Sequence, residues 1–259
     1  MKKTLIALTV AASAAVSGSA MAWEANGTGG SVNIGGSLTP AENITPWEVK
    51  TGAAVTGLDA DITKGQSVIN IAVDQAIPVL GIRTQSTEAF QGQTGISPQI
   101  DYHGVVDFSQ NVWGNAPVTL EVFGNSSNKI GSLQTTLTTA AVYSWKNGAE
   151  LQYGGMAAKT SGDGFFGGIG DFSSALGYSD AVVELNGFSN EFLEKYTKQG
   201  AVKEIGSTNN FSSVDKTYSA AYGSGIKQGR VLNITLDQAA TGDAPIQWKA
   251  SLPVTVSYQ

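Results

Sequence analysis

Trp248 to Gln259 reads W-K-A-S-L-P-V-T-V-S-Y-Q, and apolar and polar side chains alternate along this stretch. The apolar residues occupy the even-numbered positions from Trp248 to Tyr258. A period of two predicts a β-strand with one buried and one solvent-facing side. No later segment of the sequence could form a hairpin with it, so we expect its partners earlier in the chain and, in part, on another molecule. Pro253 fits an edge strand, because proline offers no N–H to a neighbour.

The first 22 residues predict a cleaved export signal. Lys2 and Lys3 precede an apolar run over residues 4–15, and Ala20-Met21-Ala22 forms a small-x-small cleavage site. The run is too short, and too rich in alanine and serine, to span a bilayer. We therefore expect the mature chain to begin at Trp23.

The composition favours many short strands joined by small polar turns. The chain has 32 glycines and no cysteine, and only 14% of its residues are charged. Without disulfides, its stability must come from a buried core, which this length allows. The formal charge is −6, and removal of the two positive charges of Lys2 and Lys3 makes it −8. This acidic balance argues against a nucleic-acid partner.

Residues 27–39 read G-T-G-G-S-V-N-I-G-G-S-L-T, which is a strand pattern diluted by glycine. Val32, Ile34 and Leu38 recur at even-numbered positions. One interpretation is a first edge strand. The other is a strand kept for a neighbouring molecule, because glycine this dense weakens a strand that must find its own partner.

Short apolar runs continue through the rest of the chain. The predicted strands cover residues 68–73, 100–108, 118–123, 130–137, 140–145, 218–222 and 231–236. This series favours a β-sandwich or a barrel. Residues 148–177 are rich in glycine and aromatic residues and predict an inserted lobe of loops. A helix is predicted from an N-cap at Ser189 to Gly200, with Phe192, Leu193 and Tyr196 on one face.

The sequence offers no set of residues suited to catalysis or to metal binding. His103 is the single histidine and cysteine is absent, so the usual zinc ligands are lacking. We expect no catalytic residue, no metal and no cofactor. An exported hydrolase is an alternative that lacks a nucleophile–base set.

Aromatic and polar residues occur together between Tyr143 and Tyr178. Sugars stack on aromatic faces, while amides and carboxylates bind their hydroxyl groups. The candidate glycan-binding residues are Trp145, Tyr153, Asn147, Glu150 and Asp163. The alternative is that the aromatic residues form the core of the lobe itself.

Stretches at both ends of the mature chain, and several between them, carry a family resemblance. They cover residues 30–39, 47–50, 83–90, 186–187, 220–225 and 247–258. In these stretches the chain resembles the FaeG-type family of fimbrial subunits and adhesins, which enteric bacteria export by the chaperone–usher route.

The resemblance implies an all-β fold: an incomplete immunoglobulin-like sandwich that lacks its last strand and carries an inserted loop-rich lobe with a short helix. Residues 1–22 would be the signal peptide, 23–46 a donor-strand extension and 47–259 the pilin domain, with the lobe at about 143–210. The donor side chains would be Val32, Ile34 and Leu38, with Gly36 as the small insertion. The strand that pairs with the chaperone and then with the donor would carry Leu252, Val254, Val256 and Tyr258.

The function implied is that of a fimbrial subunit, exported through the periplasm to the cell surface and polymerised by donor-strand complementation. Its partners would be neighbouring copies or other subunits, a periplasmic chaperone, an outer-membrane usher and host glycans. One alternative is a minor structural subunit without lectin activity. Another is an outer-membrane β-barrel, although such barrels usually end in an aromatic residue and Tyr258 is penultimate here.

Overall fold

The structure, a computed structural model, describes residues 26, 34–37, 44–242 and 244–259. It divides into two units, Met1–Asn43 and Ile44–Gln259. In the first unit, the described residues 34–37 have no regular secondary structure. All helices and strands given below belong to the second unit.

The second unit is built almost entirely of β-strands. In chain order they are β1 Trp47–Thr51, β2 Val68–Ala72, β3 Ile77–Thr84, β4 Phe90–Gln91, β5 Pro98–Asp101, β6 Asn115–Phe123, β7 Lys129–Asn147, β8 Glu150–Gly155, β9 Thr217–Ile226, β10 Val231–Leu236, β11 Lys249–Ala250 and β12 Thr255–Tyr258. One α-helix, α1 Tyr178–Phe188, lies between β8 and β9, and short 3-10 turns cover Phe108–Gln110 and Asn190–Phe192. No helix in the described part of the chain is both long enough and apolar enough to cross a membrane.

The long strand β7 joins the two halves of an open antiparallel sheet. The main path of the sheet runs β1-β3-β9-β7-β10-β2. The first half of β7 pairs with β6 and β10, and the second half pairs with β8 and β9. Strands β5 and β12 form a separate two-stranded sheet.

Two apolar clusters fill the interior. The larger one collects inward-facing residues of nearly every strand, including Ile69 and Ile71 of β2 and Ile234 of β10. The smaller one lies under α1, where Leu185 and Phe188 pack against Val142 and Ala221. From residue 137 to residue 144 every side chain of β7 is buried, because apolar clusters lie on both faces of the sheet there.

Several sequence predictions are confirmed and others are wrong. The strand at 231–236 is confirmed, and those at 68–73, 118–123 and 218–222 match to within a few residues at each end. The strands predicted at 130–137 and 140–145 form the single strand β7. The strand predicted at 100–108 ends at Asp101, where a tight turn at His103 and Gly104 takes positive φ. Strands β1, β3 and β8 were not predicted.

The helix predicted from Ser189 to Gly200 is wrong in position. The helix α1 ends at Phe188, and Ser189 follows it as the C-cap residue. The Ser189 side chain does accept a hydrogen bond from the Glu191 N–H, but it caps only the 3-10 turn that follows. Ser189 is therefore an N-cap as predicted, but the element that follows it is a single 3-10 turn.

Candidate functional site

Residues 248–258, here called the closing strand, keep their predicted alternation. Every even-numbered side chain is half-buried and every odd-numbered one is exposed. The even-numbered residues pack against the main core, and none of them is fully buried. The predicted acceptor residues are among them: Leu252, Val254, Val256 and Tyr258. An inward face that stays half-covered along its whole length indicates that the core is incomplete beside this strand.

In the described residues the closing strand pairs only at its two ends. Its first part, β11, pairs with β6, and its last part, β12, pairs with β5. Pro253 lies in the interruption between the two parts. Residues 251–254, between the two parts, make no backbone–backbone hydrogen bond with another described residue, so their N–H and C=O groups are available to an additional strand, which is how an extended peptide adds to a sheet.

An apolar groove lies next to the closing strand. Its floor consists of Ile69 and Ile71 of β2 with Ile234 and Leu236 of β10. Ile246 and Trp248, at the start of the closing strand, and Ala60 and Ile62 also line it. The free volume is about 50 Å³. All eight lining side chains are apolar, so the groove suits an aliphatic side chain and not a polar ligand.

Ala60 and Ile62 belong to the segment 53–62, for which the sequence predicted no element. It is described throughout, yet none of its residues makes a backbone–backbone hydrogen bond with another described residue. Leu58 and Ile62 are half-buried against the main core. The other residues of the segment are exposed, so water can hydrate their backbone groups, which remain available to an added strand. The groove is thus lined in part by a segment whose backbone makes no hydrogen bond to another described residue's backbone.

The predicted donor residues are only partly described. The Ile34 side chain is 95% exposed, and a Cβ added at Gly36 would lie more than 4 Å from every other described atom outside the neighbouring residues. Val32 and Leu38 lie outside the described residues. An isoleucine this exposed has its whole apolar surface available for burial in a complex.

His103 lies beside the closing strand and contacts Thr255 and Asp101. Its Nε2 is 2.7 Å from Thr255 Oγ1, and its Nδ1 is 3.8 Å from the Asp101 carboxylate. The described residues contain no cluster of histidine and acidic side chains that could hold a metal ion.

Three of the five candidate glycan-binding residues share one face of the β7–β8 hairpin. The register pairs Trp145 with Gln152 and Asn147 with Glu150, and paired residues project to the same side of a sheet. Gly148 takes φ +57 in the two-residue turn between them, as tight hairpins require. Asn147 and Glu150 are exposed at the tip, and the Lys216 Nζ lies 4.0 Å above the half-buried Trp145 ring.

The structure does not bring the other two candidates to this face. Tyr153 pairs with Ser144, so it projects to the opposite side of the hairpin. There its ring packs edge-on against Tyr178, and the Lys198 Nζ lies 3.9 Å above it. The Asp163 carboxylate accepts hydrogen bonds from the backbone N–H groups of Lys159 and Thr160, so it stabilises a local turn.

The other aromatic residues of this region are divided between core and surface. Tyr143 and Phe165 are fully buried and belong to the main core cluster. Burial raises the pKa of the Tyr143 hydroxyl, which donates a hydrogen bond to the Ile205 carbonyl oxygen. Phe172 is exposed. Tyr143 and Phe165 are therefore core residues, but of the main core and not of a separate core of the lobe, which is what the alternative interpretation expected.

Comparison with known proteins identifies the family. The family model described as "Fimbrial, major and minor subunit" matches residues 1–259. The chain is 33% identical over 288 residues to K88 fimbrial protein AC of Escherichia coli, and the match covers 100% of both chains. It is 30% identical over 293 residues to K88 fimbrial protein AB of the same species, again with 100% of both chains covered.

The chain belongs to the family of major and minor fimbrial subunits. A further relative, the K88 minor fimbrial subunit FaeI of Escherichia coli, is 26% identical over 250 residues, which covers 92% of this chain and 93% of the relative. The fimbrial subunit described here is thus a structural component of a fimbria, which assembles with other subunits and acts in adhesion.

Proposed function

We propose that this fimbrial subunit polymerises by donor-strand complementation. The leader of a neighbouring copy or another subunit, residues 23–46 here, would lie in the apolar groove between the closing strand and the segment 53–62. The observation that supports this most strongly is the groove itself: its eight lining side chains are apolar, and it is lined in part by the segment 53–62, which makes no backbone–backbone hydrogen bond with another described residue. One inserted strand would pair with both flanks and complete the core.

The energies involved are large enough to couple folding to assembly. Full burial of three aliphatic side chains of the kind that Val32, Ile34 and Leu38 provide stabilises by roughly 5–9 kcal/mol. The net stability of a whole domain is about 5–15 kcal/mol. A subunit without a donor strand is therefore marginally stable, and a supplied strand restores it by mass action.

The geometry of this contact leads to a fibre. Each subunit would give a leader at one site and accept another at a different site, so the contact is head-to-tail and does not close. Before assembly a periplasmic chaperone would occupy the groove, and an outer-membrane usher would exchange it for the next leader. The signal peptide, residues 1–22, would direct the chain to the periplasm and be cleaved from it. In this proposal the protein is not an enzyme.

Deletion of residues 23–40 tests the polymerisation proposal. The shortened chain should still form a complex with the chaperone, because the groove is intact, and should fail to form fibres when it is the only subunit. Electron microscopy and size-exclusion chromatography of the secreted material measure this. Fibres built from the shortened chain alone would refute the proposal.

We also propose that the exposed face of the β7–β8 hairpin binds host glycans. Trp145 is the aromatic residue of this face, with the Lys216 Nζ over its ring, and Asn147 and Glu150 add hydroxyl-binding groups at the tip. Tyr153 lies on the opposite face and is outside the proposed site. The competing proposal is a minor subunit with the same fold and no lectin activity.

Two substitutions at the hairpin tip separate these proposals. Asn147→Ala and Glu150→Gln change exposed side chains, so folding should be preserved while binding to a glycan array falls at least about tenfold, as expected when hydrogen bonds to a ligand are lost. Tyr153→Ala serves as the matched control on the other face and should bind as the parent does. Absence of binding by the parent fimbriae, or equal binding by all variants, would favour the non-lectin subunit or a different site.

A further inference from the structure

We propose that Trp47 is the load-bearing anchor of the leader, so that tension along the fibre enters each subunit through this residue. The proposal rests on donor-strand assembly, in which the leader is the connection between neighbouring subunits. A fibre that holds a cell to a surface is under tension, and each subunit must transmit this tension from the donor strand it accepts to the leader it gives.

The chain becomes fixed abruptly at Trp47. Ile44 is 85% exposed, and three residues later Trp47 is 4% exposed. The Trp47 ring packs against three aromatic rings, with centroid distances of 5.0 Å to Phe90, 5.1 Å to Phe211 and 5.7 Å to Phe165. Its indole Nε1–H donates a hydrogen bond of 2.6 Å to the Ile96 carbonyl oxygen. A tryptophan enclosed on several sides and held by a hydrogen bond resists extraction.

The backbone on each side of the indole is fixed as well. The Gln85 N–H donates to the Pro46 carbonyl oxygen at 2.8 Å, and the Gln85 side-chain amide donates to the Trp47 carbonyl oxygen at 3.1 Å. From Trp47 onward, β1 pairs with β3 through five residues. A pull on the leader therefore meets the indole and the two Gln85 contacts before it reaches the rest of β1.

A short path connects Trp47 to the closing strand. The residue after Ile96 is Ser97, which exchanges two backbone hydrogen bonds with Gln259, of 2.9 Å and 3.1 Å. From there β5 pairs residue by residue with β12, the last part of the closing strand. Tension from the part of an accepted donor strand that pairs with the closing strand would thus pass through β12 and β5 to the Trp47 indole and out along the leader. Neither α1 nor the glycan-candidate hairpin lies on this path.

Force measurements on assembled fimbriae test the proposal. Trp47→Phe keeps an aromatic ring in place and removes the N–H donor. At constant force, the lifetime of fimbriae that carry this substitution should be about tenfold shorter than that of the parent, which corresponds to about 1.4 kcal/mol. Gln85→Ala removes one contact at an exposed side chain, cannot threaten folding, and should shorten the lifetime by about threefold.

The control is Phe192→Leu, which changes a buried ring under α1, away from the path. The urea midpoints of Phe192→Leu and Trp47→Phe show how much equilibrium stability each substitution costs. The lifetimes of the two kinds of fimbriae are then compared at the same force and at a similar loss of stability. The anchor proposal requires the Trp47 and Gln85 variants to fail sooner than the control, and lifetimes equal to the control for both would overturn it. Fibres formed by a chain without residues 23–40 would instead refute donor-strand assembly.

Discussion

Glu48 shows how single charged residues hold the segment after α1 against the sheet. Its carboxylate accepts hydrogen bonds from Lys195 at 2.7 Å and from Arg83 at 2.9 Å. Arg83 also reaches Glu194 at 2.8 Å, and Lys50 reaches Glu191. The bond from Lys195, followed by that from Arg83, lowers the pKa of Glu48 below its ordinary value of 4.5. The pKa of Glu191 is lowered mainly by Lys50.

These lowered pKa values predict an acid-sensitive contact. A carboxyl whose pKa is lower in the folded state contributes stability above its unfolded pKa and loses it as the pH falls through the folded value. We therefore expect the urea midpoint to fall as the pH is lowered below about 4.5, and Glu48→Gln to reduce that fall while lowering the midpoint at pH 7. Glu88→Gln, which removes a carboxylate without an ion pair in the described residues, is the control. An unchanged pH profile in Glu48→Gln would contradict the assignment.

At the scale of elements, the helix α1 and the 3-10 turn after it pack onto the sheet through glycines. A Cβ added at Gly223 would lie 2.6 Å from both Leu185 and Phe192, and one at Gly81 would lie 2.3 Å from the Phe192 ring. Gly223→Ala should therefore destabilise the subunit by about 1–3 kcal/mol through overpacking. Gly187→Ala in α1, where a Cβ meets no atom within 4 Å, should be neutral or stabilising. Calorimetry of both variants measures this, and equal melting temperatures would contradict the packing argument.

The strands that could be predicted from the sequence are those with one buried and one exposed face. The closing strand and β10 alternate clearly, so both were found. By contrast, β3 is buried on both faces over much of its length and contains Pro78 and Gly81, so no alternation marks it. The N-cap residue of α1 is Gly177, which has no side chain to cap the helix, whereas Ser189 has the sequence pattern of an N-cap and follows the helix.

The candidate sites could be predicted only in part for a related reason. The groove joins residues from β2, β10 and the segment 53–62, which are far apart in sequence, so its floor could not be deduced before the strand pairing was known. The opposite directions of Trp145 and Tyr153 depend on the register of the β7–β8 hairpin. Composition placed both aromatic residues in one region, and the register separates them.

At the scale of the whole molecule, the central claim is that the fold of each subunit is completed by a donor strand from another subunit. The direct test is the stability of the chain without residues 23–40, measured by urea unfolding with and without a synthetic peptide of residues 27–40. At a peptide concentration about 100 times its dissociation constant, stabilisation should reach about 2.7 kcal/mol. A peptide carrying Ile34→Asp should have little effect. The same midpoint with the parent peptide as without it, at saturating concentration, would contradict the account.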